Sequence, residues 1–137
     1  MAQYEDCIIF LLAKAYQKAH GSFKRRLQSY GLTPVQHLIL EAIREHEGLS
    51  AGEIGKRLVL DSATLSGILD RMTEAGWIVK ETDQEDKRVL RIYRGPKAEK
   101  MGTTLIEERK QANEEILSGF TQEERILLKR LLRDIHG

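Results

Sequence analysis

The chain has 137 residues, of which 41% are hydrophobic, 31% charged and 6% aromatic, and its net charge is +1. This length suits one domain with an ordinary core, and the abundance of Leu, Ile, Ala, Glu, Lys and Arg favours helices. No apolar run approaches the roughly 18 residues of a membrane span, and Met1 to Asp6 lacks the basic region of a signal peptide, so the expected location is the cytoplasm, with no membrane partner.

With Cys7 as the single cysteine, no disulfide or thiolate metal cluster can form within one chain. His20, His37, His46 and His136 include no pair at metal-ligand spacing, so neither a metal nor a cofactor is expected. No nucleophile elbow, phosphate loop or convergent carboxylate pair points to an enzyme.

Apolar residues at Tyr4, Ile8, Leu11, Leu12, Ala15, Tyr16, Ala19, Phe23 and Leu27 follow the three-and-four spacing of a helix face. They predict one helix from Tyr4 to about Tyr30, roughly 39 Å long, more than a small domain covers unless something packs along it. Gly31 ends it. Thr33, Pro34 and Gln36 open a second helix as N-cap, first-turn proline and capping-box partner, with Val35, Leu38, Ile39, Ala42 and Ile43 facing inward to about His46. Ser50 and Glu53 form a further predicted capping box, heading a short helix with Ile54 and Leu58 on its buried side. Asp61 caps the next helix, Asp61 to Ala75, where Leu65, Ile68, Leu69 and Met72 share a face.

Trp77–Glu81 and Val89–Tyr93 are β-prone runs joined by a polar segment, which predicts a two-stranded hairpin. After Gly95 and Pro96 a second long helix carries Ala98, Met101, Leu105, Ala112, Ile116, Leu117 and Phe120. A capping box at Thr121 and Glu124 starts the last helix, with an apolar stripe of Leu127, Leu128, Leu131, Leu132 and Ile135.

Two short helices followed at once by a hairpin have the order of a helix-turn-helix with a wing, whose second helix enters the major groove of DNA. That helix presents Ser62, Ala63, Ser66, Gly67 and Asp70 opposite its buried face, flanked by Thr64 and Arg71. Short side chains let the backbone approach base edges, and hydroxyls bond bases or phosphates. Arg71 has two open readings, a phosphate contact or an ion pair with an acidic residue of the hairpin. From Asp86 to Lys97 the chain is locally basic: Lys87, Arg88, Arg91, Arg94 and Lys97 oppose Asp86 alone, a local charge of +4. Arg88 at the wing tip suits a phosphate backbone or the minor groove, with Asp86 orienting either Arg88 or Arg71. The expected DNA contacts are Ser62, Ala63, Thr64, Ser66, Gly67, Arg71, Lys87 and Arg88.

The stretch LVLDSATLSGILDRMTEAGWI from Leu58 to Ile78, DQEDKR from Asp83 to Arg88, and Gly31-Leu-Thr-Pro34 resemble the multiple-antibiotic-resistance regulator (MarR) family of transcription factors. The resemblance implies a mainly α fold with a small β-hairpin: a winged helix-turn-helix over residues 32–96, flanked by dimerisation helices over 1–31 and 97–137, in one unit of 1–137. It implies a homodimer that binds a pseudo-palindromic double-stranded operator, acts as a repressor, and is released by a small aromatic or anionic effector. Tyr16, His20, Phe23, Tyr30 and His37 are the effector-site candidates. Tyr16 and Phe23 also fit plain core, and His20 and His37 also fit hydrogen-bonded structural roles.

The chain departs from the family at Arg94-Gly95-Pro96-Lys97-Ala98, where Leu-Thr usually precedes a Lys-Gly helix start. Arg94 adds a charge there that either serves DNA or is merely exposed. One branch of the family senses peroxides through a cysteine early in the first helix, but that position corresponds to Ile9, and the accompanying tyrosines to Phe23 and Pro34. Cys7 therefore reads as an ordinary, partly buried cysteine, with one-cysteine redox sensing as an alternative function. A winged helix that binds a protein partner is another.

Overall fold

The structure, a computed structural model, describes residues 2–137. A 3₁₀ turn at Gln3–Asp6 precedes α1 (Ile8–Leu27), and a second 3₁₀ turn at Gln28–Tyr30 follows it. The single long helix expected from Tyr4 is thus interrupted: Cys7 adopts extended backbone, closing the first turn through its N–H to the Tyr4 carbonyl at 3.1 Å. One turn of 3₁₀ keeps nearly the same apolar spacing as α-helix, so periodicity does not separate them. Gly31, in the left-handed region at φ 72°, turns the chain.

Next come α2 (Pro34–Glu45), β1 (Leu49–Ser50), α3 (Ala51–Leu58), α4 (Ser62–Glu74), β2 (Ile78–Thr82), β3 (Leu90–Arg94), α5 (Pro96–Ile116) and α6 (Gln122–His136). The capping boxes at Thr33/Gln36 and Thr121/Glu124 are both complete. At α3 only half of the expected box forms. Ser50 Oγ accepts from the Glu53 N–H at 3.1 Å, but the Glu53 carboxylate sits 3.5 Å from the Arg91 guanidinium, and no reciprocal bond is made.

The fold divides into two units, Leu27–Glu107 and the pair of segments Met1–Arg26 and Glu108–Gly137. The first of these holds the fully buried side chains Leu27, His37, Ile39, Ile43, Ile54, Met72, Trp77, Ile78 and Ile92. Its sheet has three antiparallel strands in the order β1-β3-β2, not the two expected. Leu49 pairs with Ile92 and Ser50 with Arg91, a rung too short for alternation to reveal. On α2 the inward set also differs: Leu40 is buried and Leu38 is 48% exposed.

The other unit contrasts sharply in burial. Among its described residues only Ser22 and Ala112 are buried, while Tyr4, Ile8, Ile9, Leu11, Ile126, Leu127, Leu131, Leu132 and Ile135 are all exposed. Arg26 bridges Glu115 at 3.0 Å and Glu108 at 3.4 Å, and Arg125 bonds Glu114 at 2.7 Å. These carboxylates raise the already high Arg26 pKa, the Glu115 hydrogen bond most of all, and Arg125 holds the Glu114 carboxyl below its ordinary value.

The unusual start of α5 has a steric basis. Gly95 donates its N–H to the Trp77 carbonyl at 2.8 Å, and a Cβ on Gly95 would lie 2.6 Å from the Gly76 oxygen. The helix begins with Pro96, whose missing N–H costs nothing in the first turn, and the Gly95 carbonyl accepts from the Glu99 N–H at 3.1 Å. Gly95→Ala should therefore destabilise the protein by about 1–3 kcal/mol through backbone displacement. Thermal unfolding measures this, and an unchanged melting temperature would contradict the crossing.

Candidate nucleic-acid interface

The α3–α4 corner is tight. Gly55 lies against the Leu60 carbonyl, 3.1 Å from where a Cβ would stand, while the Leu60 N–H donates to the Gly55 carbonyl at 2.9 Å. Val59 takes the left-handed conformation at φ 54°, a position that strains a β-branched residue, and is 89% exposed. At the head of α4, Asp61 Oδ1 accepts from the Thr64 N–H and Oδ2 from the Thr64 hydroxyl, each at 2.8 Å. The Thr64 backbone bond first, and its hydroxyl second, hold the Asp61 carboxyl below the ordinary aspartate value. Thr64 is exposed, but its hydroxyl proton is committed to the cap.

Ser62, Ala63 and Ser66 are exposed along α4, with Gly67 half-buried. Ser62, Ser66 and Asp70 fall on one row at four-residue spacing. The expected alternative of an Arg71 pair with a hairpin acid does not form: Arg71 is exposed beside Gly67 and has no ion-pair partner among the described residues. The neighbour, Asp70, makes the bond to the hairpin instead, accepting from Lys80 Nζ of β2.

At the wing tip Asp86 accepts from Arg88 Nε at 3.1 Å, from Nη2 at 3.3 Å and from the Arg88 N–H at 3.1 Å. These bonds, the side-chain ones first, lower the Asp86 pKa. Of the two orienting roles open to Asp86, the structure forms the one with Arg88, which is 90% exposed on its side chain. The basic run is otherwise largely occupied. Arg91 Nη1 donates to the Gly48 carbonyl at 3.1 Å and approaches Glu53, Arg94 bonds Glu47 at 2.6 Å, and the Lys97 ammonium sits 4.7 Å over the Trp77 ring. Of the five basic side chains, Lys87 and Arg88 alone stand at the tip.

Reading the sequence for basic clusters overlooked Lys56 and Arg57, both exposed on α3, although the inward placement of Ile54 and Leu58 implied it. Lys56 and Lys80 border a largely apolar cleft of about 540 Å³ with Val59, Ser62, Ser66 and Leu90.

The effector-site candidates fall in both units. Tyr16 is 64% exposed, not core; its ring lies 5.4 Å from that of His20, along an open groove of about 590 Å³ with Phe10, Lys14 and Lys24. Phe23 and Tyr30 are half-buried. His37 is fully buried, and its Nε2–H donates to the Leu105 carbonyl at 3.1 Å, with Glu41 Oε1 at 3.6 Å. The cavity beside it, about 20 Å³, has room for little more than a water. Cys7, expected to be partly buried, is an exposed thiol.

The depressed Asp61 pKa gives the α4 cap a signed pH dependence. Its contribution is complete above the unfolded-state value and is lost as pH falls through the folded-state one. Asp61→Asn keeps a capping oxygen but does not titrate, so its stability should fall less steeply than the parent's between about pH 5 and pH 2. Chemical denaturation across that range tests this, and parallel curves would refute it.

Residues 30–89 match the MarR family. The HTH-type transcriptional regulator TtmR of Methylorubrum extorquens is 38% identical over 85 residues, 62% of this chain and 42% of its own length. The organic hydroperoxide resistance transcriptional regulator of Bacillus subtilis is 34% identical over 88 residues, 64% of this chain and 60% of its own. The matched segment thus spans less than two thirds of either relative. A MarR mutant from E. coli, solved in complex with operator DNA, shares the fold with a TM-score of 0.88 over 98% of this chain and 99% of that one, at 21% identity. Residues 30–89 of this chain are thus similar to the MarR family, the curated relatives it matches carry names of transcriptional regulators, and the fold is that of the operator-bound structure.

Proposed function

We propose that this protein is a cytoplasmic, homodimeric, sequence-specific DNA-binding regulator, a repressor released by a small aromatic or anionic effector. The observation that carries the reading is the pairing of a short-side-chain row on α4 with a pre-oriented cation at the wing. Ser62, Ala63, Thr64, Ser66 and Gly67 let α4 sit deep in a major groove, and Arg71 reaches its phosphate rim. Lys87 and Arg88 engage the adjoining backbone or minor groove, with Asp86 holding the guanidinium ready. The operator-bound relative, which shares the fold, supports this arrangement.

Dimerisation is supported by the exposed apolar side chains of α1 and α6, which have too little core of their own to cover them. Two-fold symmetry then sets half-sites about one helical turn apart, roughly 34–36 Å. For the effector, the Tyr16–His20 pair and the lysines beside it offer an aromatic wall and positive charge. Phe23, Tyr30 and His37 are the other candidates.

Footprinting upstream of the protein's own gene should show a pseudo-palindromic protected site, lost on addition of an effective phenolic acid. Arg88→Ala should weaken binding to that site and lower the slope of log affinity against log salt by about one. Unchanged affinity at every salt concentration would remove the wing from the interface. A protein-binding winged helix would instead show little salt dependence with any duplex.

Sedimentation should give twice the 15.7 kDa chain mass. Leu127→Glu combined with Leu131→Glu should yield monomer or unfolded chain; a monomeric parent would overturn the dimer.

A further inference from the structure

Asp70 extends the row of Ser62 and Ser66 by one turn, placing a carboxylate on the face of α4 proposed to enter DNA. A negative charge there repels phosphates unless it is neutralised. Lys80 neutralises it, and the strand pleat shows why that lysine is available. Lys80 follows the buried Ile78 by two residues, so both lie on the same face of β2, and its side chain is only 24% exposed. Its register partner Ile92 is also fully buried. An ammonium held against the core side of a hairpin needs a nearby anion, and Asp70 supplies one.

The second strand of the hairpin is held comparably. Arg91 of β3 reaches the Gly48 carbonyl and Glu53 of α3. Each wing strand is therefore tied by a charged side chain to one helix of the helix-turn-helix, β2 to α4 and β3 to α3. Beyond these ties the wing tip carries Asp83, Glu85 and Asp86 together with Lys87 and Arg88, the two cations that can reach toward a duplex.

We propose that the Asp70–Lys80 ion pair is a positioning device, which fixes the wing at the angle where Arg88 and the α4 row meet the same duplex. Asp70 on this view is a positioning residue that reads no base. The inference rests on the DNA-binding function proposed above. Partly exposed ion pairs add little to fold stability, so the effect belongs to binding geometry. A small rotation of β2 about α4 displaces the tip further than the root, because the tip lies beyond the last paired residues, Thr82 and Leu90.

The test turns on the sign of one substitution. If Asp70 were only a surface charge, Asp70→Asn would remove a repulsion and tighten DNA binding. The positioning role requires the opposite: affinity roughly fivefold weaker for the duplex that the parent selects from a random pool, with an unchanged melting temperature. The charge swap Asp70→Lys with Lys80→Asp should restore most of that loss. Arg88→Ala should cost less in the Asp70→Asn background than in the parent, because the wing is already displaced.

Equal or tighter binding by Asp70→Asn, or a folded swap variant without rescue, overturns the positioning role while leaving DNA binding intact. A parent that selects no duplex overturns both readings.

Discussion

The helix-turn-helix, the wing and α5 depend on one backbone crossing, where Gly95 passes against the Gly76–Trp77 peptide. α4 has ended there, Gly76 turns the chain at φ 84°, β2 is about to begin, β3 has finished and α5 starts one residue later. The 2.8 Å bond from the Gly95 N–H to the Trp77 carbonyl closes the root of the hairpin, and the space a side chain would need is filled by backbone. Backbone yields less readily than the end of a flexible side chain, so this point fixes several elements together. Trp77, buried below and covered by the Lys97 ammonium above, completes the anchor. Where the family that the sequence resembles usually has Leu-Thr before its helix start, this chain has Arg94-Gly95. The junction is held by close backbone packing that only glycine permits.

That anchored root explains how a chain of net charge +1 divides its basic residues. Arg91, Arg94 and Lys97 lie near the base of the wing and are engaged with Glu53 and the Gly48 carbonyl, with Glu47, and with the Trp77 ring. Lys87 and Arg88 lie beyond it. Only the second group projects charge outward, so the local +4 read from the sequence overstates the cation available to a duplex. Charge near the root holds geometry, and charge at the tip makes contact.

Much of this was legible because it is local. The helix caps at Thr33, Asp61 and Thr121 lie three residues from the N–H groups they satisfy, and the apolar face of α4 repeats within one helix. What stayed hidden depends on distant partners. β1 is two residues long and exists only by pairing with β3, more than forty residues further on. Glu53 leaves its half-formed capping box for Arg91, and Asp70 rather than Arg71 meets the hairpin, choices set by tertiary approach. The exchange of Leu38 for Leu40 on α2 has the same origin: two residues apart on a helix lie about 200° round its axis, so one faces inward beside Ile39 and the other outward, and the neighbours of α2 decide between them. Of the effector candidates, periodicity placed Tyr16 on an apolar stripe without showing that nothing within its unit covers that stripe.

Burial is divided as unevenly as charge. The Leu27–Glu107 unit holds nearly every fully buried side chain, whereas the helices outside it expose their largest apolar residues and bury almost none. Apolar area left in water contributes nothing to folding, so those helices gain their stability only when something covers them. In the proposed dimer the covering surface is the same stripe on a second copy, and association therefore completes the fold of that unit.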